Sequence, residues 1–176
     1  ADCLTRLGEY SQAKQTIASI PARPSLIRPT SLHLGTIMLD EVETALDKLP
    51  ADERRQAGHG YEQTIDDAVG ILLKGAPQNE QKDHTAAAPM YQIGRALALR
   101  GKHAEALEQF QRIRQQHENT DEGLAAALGE ARMRRELGNL DDAMPIYRHV
   151  LESHASSPYY RSRILPVEQI RKELVL

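Results

Sequence analysis

The sequence has no tryptophan, one phenylalanine and one cysteine in 176 residues, and aromatic side chains make up 4% of it. A core must therefore be built mostly from Ala, Leu and Ile. Ala and Leu are strong helix formers, whereas the β-branched and aromatic residues that strands favour are sparse, which counts against an all-β sandwich. The lone cysteine, Cys3, cannot close an internal disulfide, so the framework of a small secreted domain is missing. A reducing compartment, and hence a soluble cytoplasmic chain, is the expectation. No apolar run approaches the ~20 residues a membrane helix needs. No basic stretch followed by an apolar run opens the chain, and it starts at Ala1 already in helix-like sequence, as a piece of a larger protein would. Neither sign of charge dominates: 22 Lys and Arg stand against 25 Asp and Glu, a formal charge of −3. That removes any net pull towards nucleic acid or anionic lipid. With 40% hydrophobic and 27% charged residues, a packed core is nevertheless within reach.

Signatures of chemistry are missing as well. No phosphate-cradling glycine loop, nucleophile elbow or H-E-x-x-H pair occurs, and Gly58-His59-Gly60 is too short to hold phosphate. The histidines at 33, 59, 84, 103, 117, 149 and 154 have no metal-ligand spacing, so surface or turn positions are expected for them. Asp66-Asp67 and Asp141-Asp142 are adjacent pairs, which on a helix point about 100° apart and near its start complement its dipole. No catalytic residue, cofactor or metal is expected.

What is present is a repeated spacing. Gly8 is followed by Tyr10, Ala13, Ile17 and Ile20; Gly101 by His103, Ala106, Phe110 and Ile113; Gly138 by Leu140, Ala143, Tyr147 and Val150. The last three positions of each set stand at i, i+4 and i+7, one stripe of an α-helix opened by a small Ala. Each glycine falls where a preceding helix would end in a left-handed residue. The unit is helix, tight turn, helix.

The segment from Ala88 to Thr120 resembles a tetratricopeptide repeat, with Met90, Ile93-Gly94 and Leu97 in the W-x2-L-G-x2-Y places and Ala106 and Phe110 keeping A-x3-F. Glu118 stands where the usual Pro would be. Around Gly138, Ala127, Glu130 and Ala131 take the Trp, Leu and Gly places, and Ala143 and Tyr147 continue the pattern. Pro145 is accommodated if that helix starts near Asp141, which puts the proline at the edge of its first turn.

The resemblance implies an all-α fold, a right-handed α-solenoid of stacked antiparallel helix pairs, forming one repeat domain over residues 1–176. Within it, 1–23 is a truncated first repeat and 30–75 an expanded unit. The latter comprises a helix over Ser31–Leu49, a short helical turn broken by Gly58 and Gly60, and a helix over Tyr61–Lys74. Residues 76–85 form a loop, 86–120 and 123–156 two repeats, and 158–176 a capping segment with Ile164, Val167, Ile170 and Leu174.

In such arrays the first helix of each pair lines a concave wall that binds extended peptides. On that pattern Tyr91, Arg95 and Ala98 face inward from one unit, and Leu128, Arg132 and Arg135 from the next. Arg95 and Arg132 would stack into a basic strip for carboxylates. The alternative is that these arginines form salt bridges along the helices with Glu130, Glu136 or neighbours. Tyr91, Arg95, Gly129 and Arg132 stand where a chaperone-binding version of the family carries Lys and Asn, so that specialised function is not expected.

The expected function is a non-catalytic protein–protein interaction scaffold whose partner is another protein or peptide, an acidic one by this pattern. Neither nucleic acid nor a membrane within this segment is expected as a partner. A self-association or spacer module is the alternative, with a homodimer through the N-terminal end, where Leu4, Ile17 and Ile20 form a bare stripe. An enzyme with a cleft at the expanded middle repeat is the remote third reading.

Overall fold

A computed structural model describes residues 2–77, 86–118 and 120–152. Helices α1 (Asp2–Arg6), α2 (Tyr10–Ala18), α3 (Pro24–Asp47), α4 (Ala51–His59), α5 (Glu62–Gly75), α6 (Ala87–Leu99), α7 (His103–Gln116), α8 (Asp121–Glu136) and α9 (Leu140–Val150) account for nearly all of them, and none of the described residues is in a strand.

The three repeat glycines are the positive-φ residues among those described, at +76° for Gly8, +70° for Gly101 and +83° for Gly138. At Gly101 the Lys102 N–H donates to the Leu97 carbonyl and the Gly101 N–H to the Ala98 carbonyl, both at 3.0 Å. These are the paired bonds of a Schellman motif, which satisfy carbonyls that a helix end would leave without partners. The same two bonds recur after α1, from Glu9 to Leu4 and from Gly8 to Thr5, and after α8, from Asn139 to Arg134 and from Gly138 to Arg135. A Cβ at these three positions would meet nothing within 4 Å, so the glycines serve backbone conformation and not space.

The chain divides into two compact units, Ala1–Lys102 and His103–Leu176. In the first unit α3 is the central element, with α2, α4, α5 and α6 packed on it. Its core holds Leu39, Val42 and Leu46 of α3, Ile65, Ala68 and Leu72 of α5, and Ala96 of α6. Ile65, Ala68 and Leu72 stand three and four residues apart and form the buried stripe of α5. Gly35 brings the two helices together: a Cβ there would stand 2.5 Å from Leu72 Cγ. A smaller cluster joins Ala13 and Ile17 of α2 to Ile37 of α3.

In the second unit α8 packs against α7 and α9. The stripes Ala106, Phe110, Ile113 and Ala143, Tyr147, Val150 are all buried, and so is every residue of α8 from Gly123 to Ala131. Four alanines in that helix, Ala125, Ala126, Ala127 and Ala131, allow close approach on several sides.

Several expectations need correction. The first middle helix begins at Pro24, seven residues before Ser31, because Pro24 occupies the first helical position, where its missing N–H is harmless. Pro29 is tolerated inside it, and Pro145 lies inside α9 rather than at the edge of its first turn, since that helix starts at Leu140. Each proline is the sixth residue of its helix, past the first turn, so each removes one i→i−4 backbone bond. The stretch after Pro50 is a helix of 9 residues that runs through Gly58 and ends at Gly60. Ile17 is 6% exposed, so the N-terminal stripe is partly covered by α3 and not bare. The expected loop falls largely on residues 78–85, and the expected cap on 158–176; both lie outside the described residues.

Candidate functional site

Arg95 of α6 is held by three side chains within the first unit. Its Nη2 donates to Asp40 Oδ1 at 2.8 Å and to Glu43 Oε2, and its Nη1 donates to Gln92 Oε1 at 2.8 Å. Asp40 and Glu43 are three apart on α3 and so share a face, while Gln92 stands one turn before Arg95 on α6. The Arg95 side chain is 15% exposed. Burial alone would make its guanidinium easier to deprotonate. Glu43 and Asp40 outweigh that and hold its pKa above the ordinary arginine value. Of the other residues expected to face inward here, Tyr91 is buried and Ala98 half-buried. Arg95 thus takes part in the internal salt-bridge arrangement, though with α3 rather than along its own helix.

Arg100 ties α6 to α5 through Asp66 and through Glu62 Oε2 at 3.7 Å. A hydrogen bond with His59 Nδ1 at 2.9 Å, and then the Arg100 charge, lower the Glu62 pKa. The neighbouring Asp67 accepts from Gln63 Nε2 at 2.9 Å. The Asp66-Asp67 pair is thus split between two structural partners.

In the second unit the notable group is Glu130, fully buried at 0% exposure. Arg114 Nε lies 2.7 Å from its Oε2, and Arg134 Nη2 and Nε lie 2.8 and 3.1 Å from its Oε1. Arg134 also reaches Asp142 Oδ2 at 3.2 Å, binding α8 to α9. Two guanidinium groups therefore compensate one carboxylate removed from water. The tetratricopeptide pattern has a leucine at the place of Glu130, and nothing in the local spacing revealed that a buried charge replaces it.

Leu128, Arg132 and Arg135 share one face of α8, four and then three residues apart. Leu128 is 1% exposed and belongs to the core. Arg132 and Arg135 are half-buried, Arg135 next to Glu136 at 3.4 Å. The six expected groove residues thus divide into core (Tyr91, Leu128), an internal ion cluster (Arg95), a half-buried alanine and two arginines at the surface of α8.

The histidines follow no metal pattern: among the described residues no three groups able to hold a metal ion come together. His117 is 7% exposed, in the bend that follows α7. His84 and His154 lie outside the described residues. No described helix is long and apolar enough to cross a membrane.

Comparison with known proteins adds the following. No curated protein matches the chain. The solved structure titled "MamA MSR-1 C2" is similar with a TM-score of 0.42 and 20% identity, covering 85% of this chain and 90% of that one. "MamA AMB-1 P212121" is similar with a TM-score of 0.43 and 20% identity, covering 89% of each chain. The tetratricopeptide repeat family model matches residues 90–120. Those residues take in most of α6 and all of α7, and with the helices on either side they make this an all-α helical-repeat chain that carries a tetratricopeptide repeat.

Proposed function

We propose that the chain is a non-catalytic scaffold that binds another protein, and that the surface arginines of α8, Arg132 and Arg135, meet carboxylates of an extended acidic segment. The observation that carries this reading is the repeat at residues 90–120, a unit of the kind used for protein–protein contact. Arg132 and Arg135 stand three residues apart on one face of α8, half-buried, with Arg135 beside Glu136 at 3.4 Å. The titratable groups with displaced pKa values, Arg95, Glu62 and Tyr147, owe them to ion pairs, a histidine contact and core burial. Each of these displacements has a cause within the fold.

The test is binding of a fluorescein-labelled Asp/Glu-rich peptide, without leucine or isoleucine, to the intact chain. Saturable binding is expected, and loss of it in Arg132→Glu/Arg135→Glu at unchanged melting temperature. Equal binding by that variant would refute the assignment. Arg95→Glu is unsuitable, because it would place three carboxylates together with no cation and unfold the first unit.

A further inference from the structure

Helix α9 carries two apolar stripes. Ala143, Tyr147 and Val150 form the first and are buried where α9 packs on α8. About a quarter-turn around the same helix, Leu140, Met144 and Leu151 form a second, which Leu137 continues just before the helix. These four side chains are between 37% and 52% exposed. A surface helix needs one apolar stripe, and a row of exposed aliphatic side chains marks a contact surface. α9 thus has the pattern of a helix with neighbours on two sides, and α8 accounts for one of them.

The chain itself supplies a matching stripe. Leu137, Met144 and Leu151 stand seven residues apart, and so do Tyr160, Val167 and Leu174 in the stretch 158–176, outside the described residues. That spacing keeps side chains on one seam of a helix over successive pairs of turns. Folded back antiparallel, the stretch brings Tyr160 level with Leu151, Val167 with Met144 and Leu174 with Leu137, all in one register. Ile170 then comes level with Leu140. Seven residues, 151–157, lie between the end of α9 at Val150 and Pro158, within the ~2–8 of connections between neighbouring antiparallel helices. Pro158 suits a first helical position, and Pro166 costs such a helix one backbone bond, as Pro145 costs α9.

Charge agrees with this register. The stretch holds four Lys and Arg against two Glu, and Arg171 falls beside Asp141. Asp141 is exposed and has no ion pair among the described residues. A segment tethered by so short a link also acts at an effective concentration on the order of millimolar, which favours it over a second copy or a free partner.

We propose that residues 158–176 form a helix that docks antiparallel on the exposed face of α9, with Val167, Ile170 and Leu174 on Met144, Leu140 and Leu137 and with Arg171 against Asp141. The second unit is thereby closed by its own chain, and this face is withdrawn from contact with other proteins. The inference goes beyond the scaffold reading and needs no partner at α8.

Disulfide trapping in the full chain tests it, with Cys3→Ser removing the natural thiol. Leu140→Cys/Ile170→Cys and Met144→Cys/Val167→Cys put thiols at level positions, whereas Leu140→Cys/Gln169→Cys puts the second thiol on the far side of the segment. With diamide, both matched pairs are expected to close within one molecule, read as linked tryptic peptides in a monomer. They should close about tenfold faster than the Gln169 control, because a disulfide needs Cβ atoms about 4 Å apart. Two pairs at different levels are used so that a folding failure in one leaves the other to decide. Asp141→Arg should slow closure of the Met144–Val167 pair several-fold, and Asp141→Arg/Arg171→Asp should restore it. The proposal is overturned if the control closes as fast as the matched pairs. It is also overturned if the matched pairs link only between molecules, at a rate that rises with protein concentration, since a second copy then covers this face. A closure rate unchanged by Asp141→Arg would overturn the contact with Arg171.

Discussion

The ring of Phe110 on α7 occupies the space over residue 129 on α8: a Cβ added to Gly129 would stand 2.9 Å from Cδ2, Cε2 and Cζ of that ring. The two helices of the second unit thus approach over a bare backbone, and neither residue can change alone without cost. Phe110→Ala should destabilise by about 3–5 kcal/mol, as expected for an aromatic that is 2% exposed. Gly129→Ala should cost about 1–3 kcal/mol through overpacking. With the ring gone, the added methyl has room, so the double variant should cost clearly less than the sum. Urea denaturation of the four proteins checks this, and strict additivity would contradict the contact.

Glu130 sets up a second asymmetry. Its carboxylate is fully buried, whereas Arg114 and Arg134 are 39% and 22% exposed and retain access to water. Arg134→Ala leaves Arg114 in place and should cost about 1–2 kcal/mol. Arg114→Ala/Arg134→Ala leaves a buried carboxylate without a cation and should exceed about 3 kcal/mol. Denaturation midpoints give the comparison; a double variant no worse than the single would show that Glu130 does not need the pair.

Tyr147 carries a pH dependence. Burial raises its pKa above the ordinary tyrosine value of 10.0, with Arg135 and Arg132 pulling the other way, and its hydroxyl has no hydrogen-bond partner. Below pH 10.0 both folded and unfolded chains keep the proton and its contribution to stability is complete. Above that, the unfolded chain ionises first, so stability falls as pH rises towards the folded value. Tyr147→Phe should remove this slope and, at neutral pH, leave stability unchanged or up to about 1 kcal/mol higher. Melting temperatures from neutral pH to beyond 10 distinguish the two proteins.

The Schellman glycines predict a different signature. Gly101→Ala should cost about 1–2 kcal/mol from its left-handed backbone alone, since nothing obstructs a side chain there. D-alanine introduced at the same position by semisynthesis should stabilise instead, by restricting the unfolded chain without straining the folded one. Equal destabilisation by both enantiomers would contradict the φ of +70°.

How far the sequence reveals this molecule depends on the reach of each interaction. Ala106, Phe110 and Ile113 were legible because a helical stripe is encoded within seven residues, and Gly101 because a helix terminus is local as well. The start of α3 was not, because Pro24 and Pro29 both precede Ser31, and the helix takes in the one at its first position and the other in its interior. Arg95 was expected to face a groove; its partners lie 52 and 55 residues away, and no periodicity links α6 to α3 over that distance. The N-terminal stripe was half legible: Ile20 was expected to lie bare and is exposed, whereas Ile17 turns into the core beside Ile37.

The most direct test of the scaffold account is titration calorimetry of the intact chain with the Asp/Glu-rich peptide, run at low and at high salt beside Arg132→Glu/Arg135→Glu. The account predicts a saturable heat that weakens with salt and is absent in the variant. A wild-type chain that gives no heat, or a variant that gives the same heat, would contradict it.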